Sequence, residues 1–251
     1  MQLNNKIILD GNFLFKYRGQ IPIFILILAI PILWKNDYYT IYTTAFKSLF
    51  QLTGIILGLS GLILRYYTIG TTPNKTSGRN RNQQIAETLN TTGCYSMTRN
   101  PLYFANWMIW LGLSLFTLNY VFMLITILLF HIVYERIILA EEQFLLKKFK
   151  KTYSNFCNDV PVFFPNLYNF KKSKHIFSFK KILRQEYSST LSTIVSFIYL
   201  DIITQIICSK KSLGIVQLCN DIYIYIFILL ISGYIALCLK IFRTYTTLLD
   251  D

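Results

Sequence analysis

The chain has 251 residues, 53% of them hydrophobic and 15% charged, with 25 Lys and Arg against 12 Asp and Glu and a net charge of +13. A soluble domain carries about a quarter of its residues as charges, so this composition excludes an ordinary soluble globular protein. The basic surplus lies between apolar runs, with no stripe of basic and aromatic residues, which argues against a nucleic-acid partner.

A bilayer is crossed by roughly 20 apolar residues. Six segments approach that length: 21–34, 45–67, 102–118, 120–139, 191–208 and 213–242. The expected fold is therefore an all-α, multi-pass membrane protein of about six transmembrane helices. The first segment is short and contains Pro22 and Pro31. It follows Lys6, Lys16 and Arg18 without a small-residue cleavage pattern, so it does not read as a signal peptide. The last is interrupted by Asn220-Asp221, and only 222–241 need lie in lipid. With the N-terminus inside, the inner side takes all the basic residues except Lys35, Lys47, Lys210 and Lys211. Both termini are then cytoplasmic, and the basic loops face anionic head groups of the inner membrane.

The polar insertion 68–92 is rich in Thr, Asn and Gly and reads as an irregular loop with one short helix over 82–89. Irregular backbone cannot face lipid, so it belongs at the cytoplasmic surface or a wet cavity. Segments 102–118 and 120–139 flank Asn119 and predict a tight helical hairpin. Its two ends return to one membrane face, carrying Arg99 at the start and Glu141-Glu142 at the finish. Beyond them Leu145, Phe149, Tyr153 and Phe156 recur at three or four positions, as on an amphipathic helix lying along the interface and ended by Pro161 and Pro165. Residues 166–190 read as a basic connector, and the last two spans as a second hairpin.

The five cysteines lack metal-ligand spacing. Cys208 and Cys219 flank the outer turn and could pair; as apolar fillers they need not. His131 sits in mid-span as a packed interior residue, far from His175. No metal site is expected.

Chemistry concentrates in Gly93-Cys94-Tyr95-Ser96-Met97-Thr98-Arg99-Asn100-Pro101-Leu102-Tyr103. Arg99 offers a planar fork of donors suited to a carboxylate or phosphate. Pro101 suits a first helical turn, and Gly93 suits a chain bending close to a bound molecule. Arg99 could equally be a snorkelling anchor, with Tyr95 and Tyr103 as interface aromatics. Glu141 and Glu142 point about 100° apart on a helix, so one can face a cavity while the other meets solvent or Arg136. They could hold a cation or ribose hydroxyls, or be a solvated helix end.

The run G-x-Y-x-x-x-R-N-P-x-Y, then E-R-I-x-x-x-E-E-x-x-L-x-x-x-F-x-x-x-Y, then V-P-x-F-x-P resembles the isoprenylcysteine carboxyl methyltransferase and phospholipid methyltransferase superfamily over 49–167. The resemblance implies an integral membrane enzyme that uses S-adenosylmethionine, in a pocket facing the cytoplasm, to methylate lipid-linked acceptors. It places Gly93, Tyr95, Arg99, Asn100, Pro101, Tyr103, Glu141 and Glu142 around the cofactor, with Arg99 and Glu142 closest to the chemistry and Leu145, Phe149 and Tyr153 as a cover. It divides the chain into an N-terminal span (1–48), the methyltransferase-like core (49–167) and a basic connector with a C-terminal hairpin (168–251). Asn100 stands where the family usually has histidine. Asparagine cannot exchange a proton near neutral pH, which favours an acceptor that is already anionic and needs no general base. The loop around Lys75, Arg79 and Arg81 is similar to bacterial members that methylate the phosphate of lipid A, and these three residues become the candidate substrate-binding cations. The alternatives are a membrane reductase of the sterol type using NADPH, which shares an Arg-x-Pro-x-Tyr segment, and a non-catalytic protein that keeps the fold.

Overall fold

The computed structural model describes residues 3–35, 47–73, 76, 84, 86–209 and 215–249, with the side chains of Asn4, 208–209 and 215–221 left aside. Its elements are α1 (Leu3–Tyr17), α2 (Ile21–Lys35), α3 (Lys47–Gly70), α4 (Pro101–Phe116), α5 (Tyr120–Asp159), α6 (Phe179–Ser209) and α7 (Ile215–Tyr245). Short 3-10 turns lie at Cys94–Ser96 and Leu167–Asn169. Among the described residues the only β pairing is a single antiparallel bridge between Gly93 and Lys171. The all-α membrane architecture expected from the sequence is what the chain adopts.

Four of these helices are long and apolar enough to cross a membrane, or five when α1 and α2, bent by 86° at Arg18–Gln20, are taken as one broken span. At 16 residues α4 is a shorter apolar helix. It is about 24 Å long at 1.5 Å per residue, just under the roughly 30 Å of a hydrocarbon core. Outward faces are apolar where lipid must lie: Tyr223, Phe227 and Leu230 on α7, and Ile56, Leu59 and Ile63 on α3, are all exposed.

The predicted hairpin forms at Thr117–Asn119. Asn119 is buried, and its side-chain oxygen accepts from the Phe122 amide at 2.7 Å, capping α5. Leu118 takes a φ of 52° to make the turn. Against this hairpin α3 packs through small residues. A Cβ on Gly112 would stand 2.4 Å from the Gly54 carbonyl oxygen, and one on Gly54 would stand 2.6 Å from that of Gly112. Only glycine lets the two backbones approach so closely, as is common between helices in lipid.

Four expectations are corrected. The amphipathic helix does not start directly after Glu142. With no Pro or Gly between Tyr120 and Asp159, helical geometry continues past the glutamates to Lys150, where φ 47° and ψ −123° kink the chain, and a short helical segment carrying Tyr153 and Phe156 then runs to Asp159. The stretch before the kink is about 45 Å long, more than the membrane core needs. The connector ends early, because the Ser178 side chain accepts from the Lys181 amide and starts α6 at Phe179. The described residues of the supposed 82–89 helix, Gln84 and 86–89, are not helical. His131 is exposed on α5 rather than packed inside. Cys208 and Cys219 fall outside the described side chains, so their pairing does too.

Candidate functional site

The helix α4 begins where the chain must change direction, and two segments are knitted together there. Gly93 has φ 63° and ψ −138°, a backbone that side chains of L-residues rarely adopt. Its amide donates to the Lys171 carbonyl at 2.8 Å. The Ser96 hydroxyl donates back to the Gly93 carbonyl at 2.7 Å and accepts from the Lys171 amide at 2.8 Å. Arg99 N–H donates to the Pro161 carbonyl, and Asn166 N–H to the Met97 carbonyl, both at 2.9 Å. Thr98, 1% exposed, donates its hydroxyl to the Phe163 carbonyl. The V-P-x-F-x-P segment is therefore the brace that holds residues 93–100 in place. Room is not the constraint at Gly93, since an added Cβ would meet nothing nearer than 3.4 Å. Gly93→Ala is accordingly expected to cost about 1–3 kcal/mol through backbone strain alone, read as a lower apparent melting temperature of the purified protein.

Above the brace lies a cavity of about 910 Å³, within the range of small-molecule and cofactor sites. At one end Arg99 Nη1 lies 3.1 Å from Glu142 Oε1, with Arg99 12% exposed. Arg99 Nε is buried without a hydrogen-bond partner. The Tyr153 hydroxyl stands near Glu142, and that of Tyr103 near Glu141. Tyr103 also meets Tyr134 edge-on, with ring centroids 5.0 Å apart. Tyr95 and Asn90 both line the cavity. Burial, and secondarily the charge of Glu141, push the Tyr95 phenol well above the ordinary tyrosine range, so it stays protonated. Burial likewise pushes the Cys94 thiol up and keeps it neutral.

Of the residues singled out in the sequence, Tyr95, Arg99, Asn100, Pro101, Tyr103, Glu141 and Glu142 all line this cavity. Gly93 does not; it shapes the turn behind it. Both glutamates line the cavity, Glu142 beside Arg99 and Glu141 near Tyr103, and Arg136 turns instead to its own helix, where its Nη1 donates to the Ile132 carbonyl. Leu145 and Tyr153 belong to the cover, but Phe149 does not reach the lining, while Phe144 and Phe156 do. Asn100 donates its side-chain N–H to the Val162 carbonyl at 2.9 Å. Its amide is thus spent on the brace. Lys75, Arg79 and Arg81 lie outside the described residues; the described Thr76, Gln84 and Thr88 of the same loop line the cavity.

Two parts of the site were missed. Arg18, at the α1–α2 bend, lines the cavity; its guanidinium lies 3.8 Å from the Phe15 ring centroid, and its charge acts on Glu141. Deeper in, Arg65 of α3 forms a buried ion pair with Glu186 of α6 through hydrogen bonds of 2.7 and 3.0 Å. Arg65 also donates to Asn106 Oδ1 at 2.6 Å. An arginine inside an apolar run was the available signal. Glu186 had none, because it sat in what read as a connector.

Residues 49–152 match the family model for phospholipid methyltransferases. Among curated proteins, the chain is 33% identical over 97 residues to the nickel-cobalt-cadmium resistance protein NccN of Alcaligenes xylosoxydans xylosoxydans, covering 37% of this chain and 45% of that one. It is 32% identical over 109 residues to the cobalt-zinc-cadmium resistance protein CzcN of Cupriavidus metallidurans, covering 42% and 48%. The chain thus spans about half the length of these relatives. No solved structure matches. Among the described residues no group of three or more His, Cys, Asp or Glu is placed to hold a metal ion.

Proposed function

We propose, from the premise that the membrane core of this chain (residues 49–152) belongs to the phospholipid methyltransferase family, that the protein uses S-adenosylmethionine to methylate an anionic oxygen of a lipid-linked acceptor. The observation that carries the reading is the Arg99–Glu142 pair at the polar end of the cavity, with Arg99 Nε buried and unspent. A buried donor without a partner costs free energy unless a ligand satisfies it. An amino-acid-like ligand with a carboxylate, an ammonium and ribose hydroxyls fits this donor and acceptor set. Arg99 would take the carboxylate, Glu142 the ammonium, and Glu141 with Tyr103 the hydroxyls. When bound, S-adenosylmethionine supplies an electrophilic methyl group.

The rest falls to the chain. The brace and the tyrosines fix the donor end, and the apolar walls exclude water, so that positioning supplies most of the rate. Asn100 supports an oxyanion acceptor, because its amide is committed to Val162 and cannot take a proton. Asn100→Ala is expected to lower stability by about 1 kcal/mol through that lost hydrogen bond, and to leave the pH dependence of methyl transfer unchanged. A changed pH profile in the variant would instead show that Asn100 acts on a titrating group of the site rather than on the brace alone. The acceptor phosphate would meet Lys75, Arg79 and Arg81, and lipid A is the finer reading. The basic loops support a site on the cytoplasmic side of the inner membrane.

The test is mass spectrometry of total lipids, lipid A included, from cells with and without the gene, grown on methyl-labelled methionine. A lipid that gains one labelled methyl only when the gene is present is the expected result and identifies the acceptor. No labelled difference in any lipid class would overturn the reading.

A further inference from the structure

The cavity is longer than its donor end requires, and its inner half has a different chemistry. The geometry points to a second binding site there, between α2, α4 and α6, for the polyhydroxylated head group of a lipid, with Asn106, Tyr134 and Ser189 as its hydrogen-bonding side chains. The claim does not rest on the methyltransferase reading, because this lipid is a second occupant of the cavity and not the anionic acceptor.

Asn106 lies six residues beyond Asn100, about 9 Å deeper along α4. The charges nearby cancel. Arg65 is 13% and Glu186 3% exposed, and they are bonded to each other; the charge of Arg18, which also reaches Tyr134, is offset by Glu141, so the cluster has no surplus charge to attract an ionic head group. What remains uncommitted is neutral. Asn106 Nδ2 has only a 3.5 Å contact to the Tyr134 hydroxyl, at the outer limit of a hydrogen bond. Ser189 receives Arg65 Nη2 at a loose 3.4 Å. Along α6 the polar face continues through Ser192 and Ser196, whose hydroxyls donate to carbonyls one turn back at 3.2 and 2.7 Å and keep their lone pairs as acceptors. Closely spaced neutral donors and acceptors are what the adjacent hydroxyls of a sugar require. Trp110 on the same wall offers an aromatic surface.

The opposite wall is apolar and reaches the outside. Pro22, Ile23 and Leu26 of α2 face Leu191 and Val195 of α6 across the cavity lining, and Ile23 and Val195 are 57% and 40% exposed. Below this slot the Tyr199 hydroxyl donates to the Leu26 carbonyl at 3.1 Å and ties the two helices together. An occupant with its head group inside and acyl chains in the surrounding lipid matches both walls at once.

The test uses the full-length chain in detergent micelles and native mass spectrometry. Diglucosyl diacylglycerol, phosphatidylglycerol and phosphatidylethanolamine of the same acyl composition are offered at equal concentration. The glucolipid adduct is expected to exceed the other two by about tenfold, the worth of one or two net hydrogen bonds. The excess should shrink at least threefold in Tyr134→Phe and in Ser189→Ala, neither of which removes an Arg65–Glu186 bond. Equal adducts of all three lipids, a preference for phosphatidylglycerol, or a glucolipid preference untouched by both variants would each overturn the proposal. A glucolipid preference without methyl transfer in the labelling experiment would remove the enzymatic reading and leave this one. Labelled transfer without the preference would do the reverse.

Discussion

Arg99→Met abolishes S-adenosylmethionine binding while leaving the helical fold intact: titration calorimetry on the purified protein is expected to show affinity down about a hundredfold or more. The side chain lines the cavity, is part-buried, holds Glu142 at 3.1 Å, and keeps a buried Nε without a hydrogen-bond partner. Removing one partner of a desolvated charge pair costs about 2–5 kcal/mol of binding, much of it from the charge left behind; a hundredfold corresponds to about 2.7 kcal/mol. Arg99→Lys is expected to recover little, because an ammonium cannot reproduce a planar fork that reaches Glu142 and a ligand together. Unchanged affinity in the Met variant would show that Arg99 only ties α4 to α5.

Glu186→Ala is the substitution expected to damage stability most. It strips Arg65 of a bidentate partner in the interior of a helical bundle. Breaking a buried pair from one side costs about 3–5 kcal/mol, whereas replacing both members by apolar groups of similar volume is often neutral. Thermal denaturation should therefore rank wild type and the double variant R65M/E186L together, with Glu186→Ala far below. A double variant as poor as the single one would mean that the pair itself, rather than the orphaned charge, matters to the fold.

The sequence revealed the spans, the hairpin around Asn119 and the meeting of Arg99 with Glu142, because each depends on local signals: apolar run length, a one-residue polar break, and two helix ends forced to the same side. It did not reveal that α5 continues past Glu142 to a kink at Lys150, since lysines after the glutamates suit an interfacial helix and a continued span equally. Nor did it show that Asn100 is held by Val162. That contact joins residues 62 positions apart, and no spacing rule reaches so far. Arg65 was visible as a charge in an apolar run, yet its meaning depended on Glu186, which local pattern assigned to a loop. Arg18 was counted among topology-setting charges, and only the 86° bend between α1 and α2 brings it to the cavity.

The 121 residues that separate Arg65 from Glu186 also impose an order on biogenesis. Helix α3 leaves the ribosome carrying a cation whose counter-charge has not been synthesised. At about 5–20 residues per second, on the order of ten seconds pass before α6 emerges. During that interval α3 must keep its guanidinium in the head-group region near its C-terminal end, where a long side chain can reach water. Docking of α6 then draws Arg65 inward and closes the cavity wall in the same event. Assembly of the pocket is thus timed by the last hairpin, and a nascent chain halted before Phe179 carries every residue of the donor end without the enclosure that makes it a site.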